Sequence, residues 1–185
     1  MKLLRNRKIA VSITAIVVIL TTLFGVGRSL NALARDIEAM FYDGVYIAAD
    51  RFTQPGIDAQ LRWCASAALG LATITINYPE LESHSEEVMR LRRELLAAES
   101  IGEKSRAFRF LAPEVYSLAQ AALDADLTAR DLEAVAHYQR QFADAEAFIR
   151  NTSLYNQTVS QRWDERSFIA RFIGSFVPVR EPEMF

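Results

Sequence analysis

Few side chains in this sequence are suited to nucleophilic, acid–base or metal chemistry. There is one cysteine, Cys64, and there are two histidines, His84 and His137. A reactive cysteine needs a histidine or a cation beside it to favour the thiolate. Cys64 lies instead on an apolar stripe within Leu61-Arg62-Trp63-Cys64-Ala65-Ser66-Ala67-Ala68 and reads as a structural core residue. A lone cysteine makes no internal disulfide, so no staple is expected even in an oxidising compartment. A di-iron bundle site requires two Glu-x-x-His pairs and two further glutamates. Here Glu80 and His84, and Glu133 and His137, are four positions apart rather than three, so no metal or other cofactor is expected. Asp36, Asp43 and Asp50 recur every seven residues. On a helix they form an acidic stripe open to cations or a basic partner, but a solvated face is the simpler reading, and such a face offers no carboxyl with a raised pKa for paired-acid catalysis. Gly-rich phosphate loops and Gly-x-Ser-x-Gly elbows are absent. The sequence therefore predicts no catalytic activity.

One polar residue stands out. Asn156, in Tyr155-Asn156, lies beside the apolar stripe of the last predicted helix. A buried asparagine can fix register in a helical bundle; binding a ligand is the alternative. Asn151-Thr152-Ser153 and Asn156-Gln157-Thr158 match the glycosylation acceptor pattern, but inside a predicted helix a chance match is the simpler source.

The elements that would position these groups are helical. Residues 9–27 form a run of 19 residues without a charge, and roughly 20 apolar residues cover a bilayer as a helix. The partition read from the sequence is a basic N-terminal tail at 1–8, a transmembrane helix at 9–27, a helical bundle domain at 28–176 and an extended tail at 177–185. Lys2, Arg5, Arg7 and Lys8 precede the run with no acid among them, whereas residues 28–185 hold 17 basic residues against 23 acids. An acidic domain argues against nucleic acid, which needs a basic footprint. The basic N-terminus acts as a topology signal and predicts a single-pass protein with its N-terminus cytoplasmic and its domain outside. The rival placements are a cytoplasmic domain, or secretion after cleavage near Ala34, where Ala32-Leu33-Ala34 would supply the small-x-small site.

After the span, Leu30, Leu33, Ile37, Met40, Phe41, Val45 and Ala48 recur at helical spacing, which predicts one helix from the membrane to about Phe52, with no strand or hairpin. A turn at Thr53-Gln54-Pro55-Gly56 precedes a second helix over 57–77, whose small residues at 65–68 would admit a close neighbour. Ser83-His84-Ser85-Glu86 fits a capping box opening a third helix. Gly102 and Pro113 mark irregularities, with Pro113 in the first turn of a further short helix. Thr128-Ala129-Arg130-Asp131 opens the strongest stripe: Leu132, Val135, Tyr138, Phe142, Ala145, Ile149, Thr152, Tyr155, Val159 and Trp163. Stripes this long predict an all-α, antiparallel bundle of long helices with coiled-coil-like packing.

Three pieces, in order, resemble the LemA family of bacterial membrane-anchored helical proteins. The first is the N-terminal span followed at once by a helix. The second is Tyr78-Pro79-Glu80-Leu81, followed by a helix ending Glu94-Leu95-Leu96-Ala97-Ala98-Glu99-Ser100-Ile101. The third is Arg150, then Tyr155-Asn156 and Val159, with Phe172-Ile173-Gly174-Ser175-Phe176 and Glu183-Met184-Phe185 at the end. The chain departs from the family in lacking Ile-Pro-Asn after Leu61-Arg62 and in carrying extra helical material at 102–145. The resemblance implies an antiparallel bundle on a membrane stalk, with Tyr78, Pro79, Leu81, Arg150, Tyr155, Asn156 and Val159 as structural motif residues, and it implies no enzyme activity.

Two functions follow as expectations. The first is a structural or interaction protein of the cell envelope, held in the bilayer through residues 9–27 and meeting a protein partner or itself. The alternative is a ligand-binding sensor with a pocket between helices lined by Trp63, Tyr78 and phenylalanines.

Overall fold

A computed structural model of the chain describes residues 7–47, 51–151 and 154–185. Lys2, Arg5, Ala48, Asp50, Thr152 and Ser153 lie outside those residues. Among the described residues run six helices and one hairpin: α1 (Arg7–Asp43), β1 (Val45–Ile47), β2 (Phe52–Gln54), α2 (Ile57–Thr75), α3 (Glu82–Ala97), α4 (Ile101–Asp124), α5 (Ala129–Asn151) and α6 (Leu154–Gly174). The all-α reading holds apart from the hairpin. The chain forms two compact units, one of residues 1–38 and 158–182, the other of residues 39–157 and 183–185.

In the larger unit α2 packs against α5 and α3, and α3 against α4. Leu61, Cys64, Ala68, Leu71 and Ala72 form the inner face of α2 and are buried, so the small residues do admit a close neighbour. The approach is tightest at Gly70, where an added Cβ would stand 2.3 Å from the Tyr138 ring of α5. Val88, Leu91 and Leu95 from α3, Leu111, Val115 and Leu118 from α4, and Val135 and Phe142 from α5 complete the core. The stripe read from Leu132 onward is carried by two helices, α5 and α6, with Val135, Phe142, Ala145, Ile149, Tyr155, Val159 and Trp163 buried.

Three local expectations are corrected. Helix α1 stops at Asp43 rather than Phe52. Gly44 takes φ +83, and its N–H donates to Met40 O at 3.1 Å, a left-handed helix cap that favours glycine. Val45, Tyr46 and Ile47 then pair antiparallel with Gln54, Thr53 and Phe52. The predicted cap at Ser83 is not used. Helix α3 starts two residues earlier, behind Leu81, with no side-chain cap, because Ser85 is buried: its hydroxyl lies 2.8 Å from Thr75 Oγ1 and donates to Leu81 O at 2.8 Å. The working capping box is Ser100–Glu103, where Glu103 N–H donates to Ser100 Oγ at 3.1 Å and Ser100 N–H to Glu103 Oε2 at 3.1 Å. Finally, Pro113 lies inside α4 rather than opening a new helix. It sits on the exposed face, as does Arg109, whose carbonyl lacks its helical donor and is open to water. The buried Leu111, Ala112 and Val115 hold the helix through the defect. Replacing Ser100 by alanine is expected to cost about 1 kcal/mol, read as a lower denaturant midpoint with an unchanged slope.

In the smaller unit, Leu30 and Ala34 of α1 pack with Trp163 and Ala170 of α6, and Val26, Leu33 and Val179 border them. Asn31 fastens the segment after α6, its amide donating to Pro178 O at 3.0 Å and its carbonyl accepting from Arg180 N–H at 2.8 Å. Arg180 Nη2 stands 3.1 Å from Glu38 Oε1, a charge contact without hydrogen-bond angles. Helix α1 is, among the described residues, the one long and apolar enough to cross a membrane. Val11, Ile16, Val18, Leu20 and Phe24 are exposed along it. Its threonine hydroxyls bond within the helix, Thr14 to Ala10 O at 3.0 Å and Thr22 to Val18 O at 2.8 Å, which is what an apolar surrounding demands of them.

Candidate functional site

Among the described residues no three His, Cys, Asp or Glu side chains gather as metal ligands would. His84 Nδ1 instead pairs with Glu114 Oε1 at 2.6 Å, and His137 is exposed. Asp36 and Asp43 are exposed, as a solvated face requires.

Polar side chains form three clusters in the larger unit, two around a buried carboxylate, Asp58 or Glu146, and one at the more exposed start of α5. In the first, Asp58, in the opening turn of α2, accepts from Lys104 Nζ at 2.5 Å and Arg62 Nε at 2.8 Å, and the same Nζ stands 5.8 Å above the Tyr42 ring. Burial pushes the Asp58 carboxyl up, but the two cations outweigh burial and hold it below its ordinary value. A folded-state value below the unfolded one means that the group's stabilisation is complete above about pH 4 and is lost as pH falls through the lowered value. Asp58→Asn is therefore expected to lose about 2 kcal/mol at neutral pH, and denaturation measured down the acid range should bring variant and parent together.

The second cluster surrounds Glu146. It accepts from Tyr116 Oη at 2.6 Å and from Arg150 Nη2 at 2.5 Å. Cys64 lies close by, its Sγ 3.9 Å from Phe142 O. Burial first, and then the Glu146 charge, push its thiol up to about 12. Burial, then the hydrogen bond to Glu146 and its charge, raise the Tyr116 phenol to about 12. A thiol held that high carries almost no thiolate at neutral pH, so Cys64 fits a packed core position and not a nucleophile.

The third cluster caps α5. Thr128 Oγ1 accepts from Asp131 N–H at 3.2 Å and donates to its carboxylate at 2.8 Å, while Tyr78 Oη donates to the same carboxylate at 2.5 Å. The Thr128 start thus stands as read, and the tyrosine of the Tyr-Pro-acid-Leu step fastens it. Pro79 occupies the turn between α2 and α3, and Leu81 is buried at its end.

The remaining motif residues lie elsewhere. Arg150 is 19 positions after Asp131, about 28 Å along α5. Tyr155 and Asn156 hold residues 183–185. Tyr155 Oη donates to Glu183 O at 2.5 Å; the Asn156 amide donates to Phe185 O at 2.7 Å, and its carbonyl accepts from Phe185 N–H at 3.0 Å. Gly102 N–H, at the start of α4, donates to the Glu183 carboxylate at 2.9 Å, where the helix dipole favours an anion. The Phe185 ring sits 5.5 Å from Phe41 and 6.4 Å from Phe108. Asn156 is half-buried, and both ends of its amide are matched by backbone rather than by a neighbouring helix. Val159 is buried on α6. Tyr78 and the Tyr155–Asn156 pair therefore act as two separate structural fasteners, while Arg150 pairs with Glu146 and Val159 packs on α6. Sequence reading singled out Asn156 but not Gly102 or Phe108, whose roles depend on where the chain's end folds back.

Trp63 stands 64% exposed on α2, and Tyr78 is engaged at the start of α5. A scan against protein-family models and searches of curated proteins and of solved structures gave no match.

Proposed function

We propose that this chain is a distant LemA-like protein of the bacterial cell envelope: an antiparallel helical bundle, tethered by α1, that serves as a structural or interaction protein. The observation that carries the tether is the uncharged, outward-facing surface of α1 over residues 9–27. The interaction reading is supported by the pairing of polar groups within each cluster, which makes the clusters packing devices, and by exposed aromatics such as Trp63 and Phe110. Tryptophan is enriched where protein partners bind. Short connections between α2, α3 and α4 favour the antiparallel order. The four basic residues before the span favour a cytoplasmic N-terminus.

Crosslinking in membranes tests the interaction. A photoreactive residue at Trp63 or Phe110 should trap a partner or a second copy of the chain, while one at Phe142 should not. Absence of any adduct from exposed positions all around the bundle would remove the basis of the interaction reading.

A further inference from the structure

Helix α6 carries an apolar ridge that no part of its unit covers. Phe168 is 77% exposed, Phe172 59% and Phe176 62%, with Ile169 beside them. The spacing of Phe168 and Phe172 places both rings on one side of the helix, and Phe176, in the turn after α6, meets Phe172 edge to face with centroids 5.7 Å apart. The opposite side of α6, through Trp163, Ala170 and Ile173, faces α1.

The position of the ridge along α1 identifies what covers it. A Cβ on Gly27 would stand 3.0 Å from Val177 and 3.8 Å from Ile173, and Gly27 is the last residue of the uncharged run. The end of α6 and the turn after it therefore lie level with the end of the proposed span. Phe168 is five residues before Ile173, about 7.5 Å along the helix axis. Phe172 and Phe176 adjoin Ile173 and Val177 and share that level, and Phe168 lies within about 10 Å of it, the depth scale of the headgroup and acyl boundary. Charge points the same way. Residues 166–179 contain Arg166 and Arg171 and no acid, and residues 9–35 contain Arg28 and Arg35 and no acid, although residues 28–185 as a whole are acidic. Cations and aromatic rings without carboxylates suit a phosphate-bearing lipid surface.

We infer that the Phe168–Phe172–Phe176 ridge of α6 inserts into the lipid interface as a second membrane contact beside the span, with its arginines at the lipid phosphates. This rests on the reading of residues 9–27 as a span.

The test uses the full chain in vesicles of phosphatidylcholine with one-third phosphatidylglycerol. Nitroxides are attached to single cysteines in a Cys64→Ala background, at Phe168→Cys, Phe172→Cys and Phe176→Cys, with Ile16→Cys as a span control and Arg162→Cys as a water control. Collision with oxygen and with an aqueous nickel chelate is then measured. The expected result is that the three ridge positions lose nickel access and gain oxygen access relative to position 162. If they remain as open to nickel as position 162 while position 16 is lipid-buried, the span stands and the inference falls. Shielding from both reagents would place the ridge against protein, such as a second copy, and would also overturn it. Nickel access at position 16 would remove the span and the inference together.

Discussion

Phe142→Ala is expected to destabilise the larger unit by about 3–5 kcal/mol, the range for removing a buried aromatic ring. Phe142 is fully buried on α5, with the Phe108 ring at 6.2 Å and the Tyr116 ring edge-on at 5.7 Å. Its backbone carbonyl lies against the Cys64 thiol of α2, so the ring and its backbone meet both helices that flank it. The cavity would open where α2, α4 and α5 meet, beside the buried Glu146 cluster, and relaxation there would disturb a carboxylate that relies on fixed partners. Denaturant unfolding of the full chain in detergent should show the midpoint fall; a change within 1 kcal/mol would mean that this position is not at the centre of the core.

Gly44→Ala is expected to cost about 3 kcal/mol or more, although it adds a single methyl group. The positive φ of +83 alone costs an L-residue about 1–2 kcal/mol. In addition, the new Cβ would stand 2.0 Å from Gln54 O and 2.8 Å from Gly56 N. Those are backbone atoms of the hairpin strand and its exit, so no side chain can swing aside. Gly25→Ala, which meets nothing within 4 Å, should leave stability within a few tenths of a kcal/mol. Comparison of the two variants separates backbone geometry from a general intolerance of the methyl group.

The parts of the fold that were legible in the sequence were those set by long periodic patterns. Along the stripe read from Leu132 onward, Val135, Phe142, Ala145, Ile149, Tyr155, Val159 and Trp163 are buried as the spacing requires. The parts that were not legible were set by single residues whose meaning depends on tertiary context. Gly44 was outweighed by apolar residues that continued at helical spacing through Val45, and the β-branched and aromatic residues of the hairpin were absorbed into that stripe. Ser83 and Ser100 both precede a glutamate at the third position. Burial of Ser85 against Thr75 pulled the start of α3 back by two residues, while Ser100 remained free to cap. Pro113 was tolerated because the carbonyl it orphans faces water. The role of Asn156 could not be read locally, since its partner, Phe185, is 29 positions away.

The most direct test of the membrane-tethered account is the side on which the bundle lies. Single cysteines at the exposed positions Glu86 and Glu133, in a Cys64→Ala background, would be labelled in intact cells with a membrane-impermeant thiol reagent. The account predicts labelling from outside at both positions, with the N-terminus cytoplasmic. Protection in intact cells, with labelling only after lysis, would contradict it and place the bundle on the cytoplasmic side.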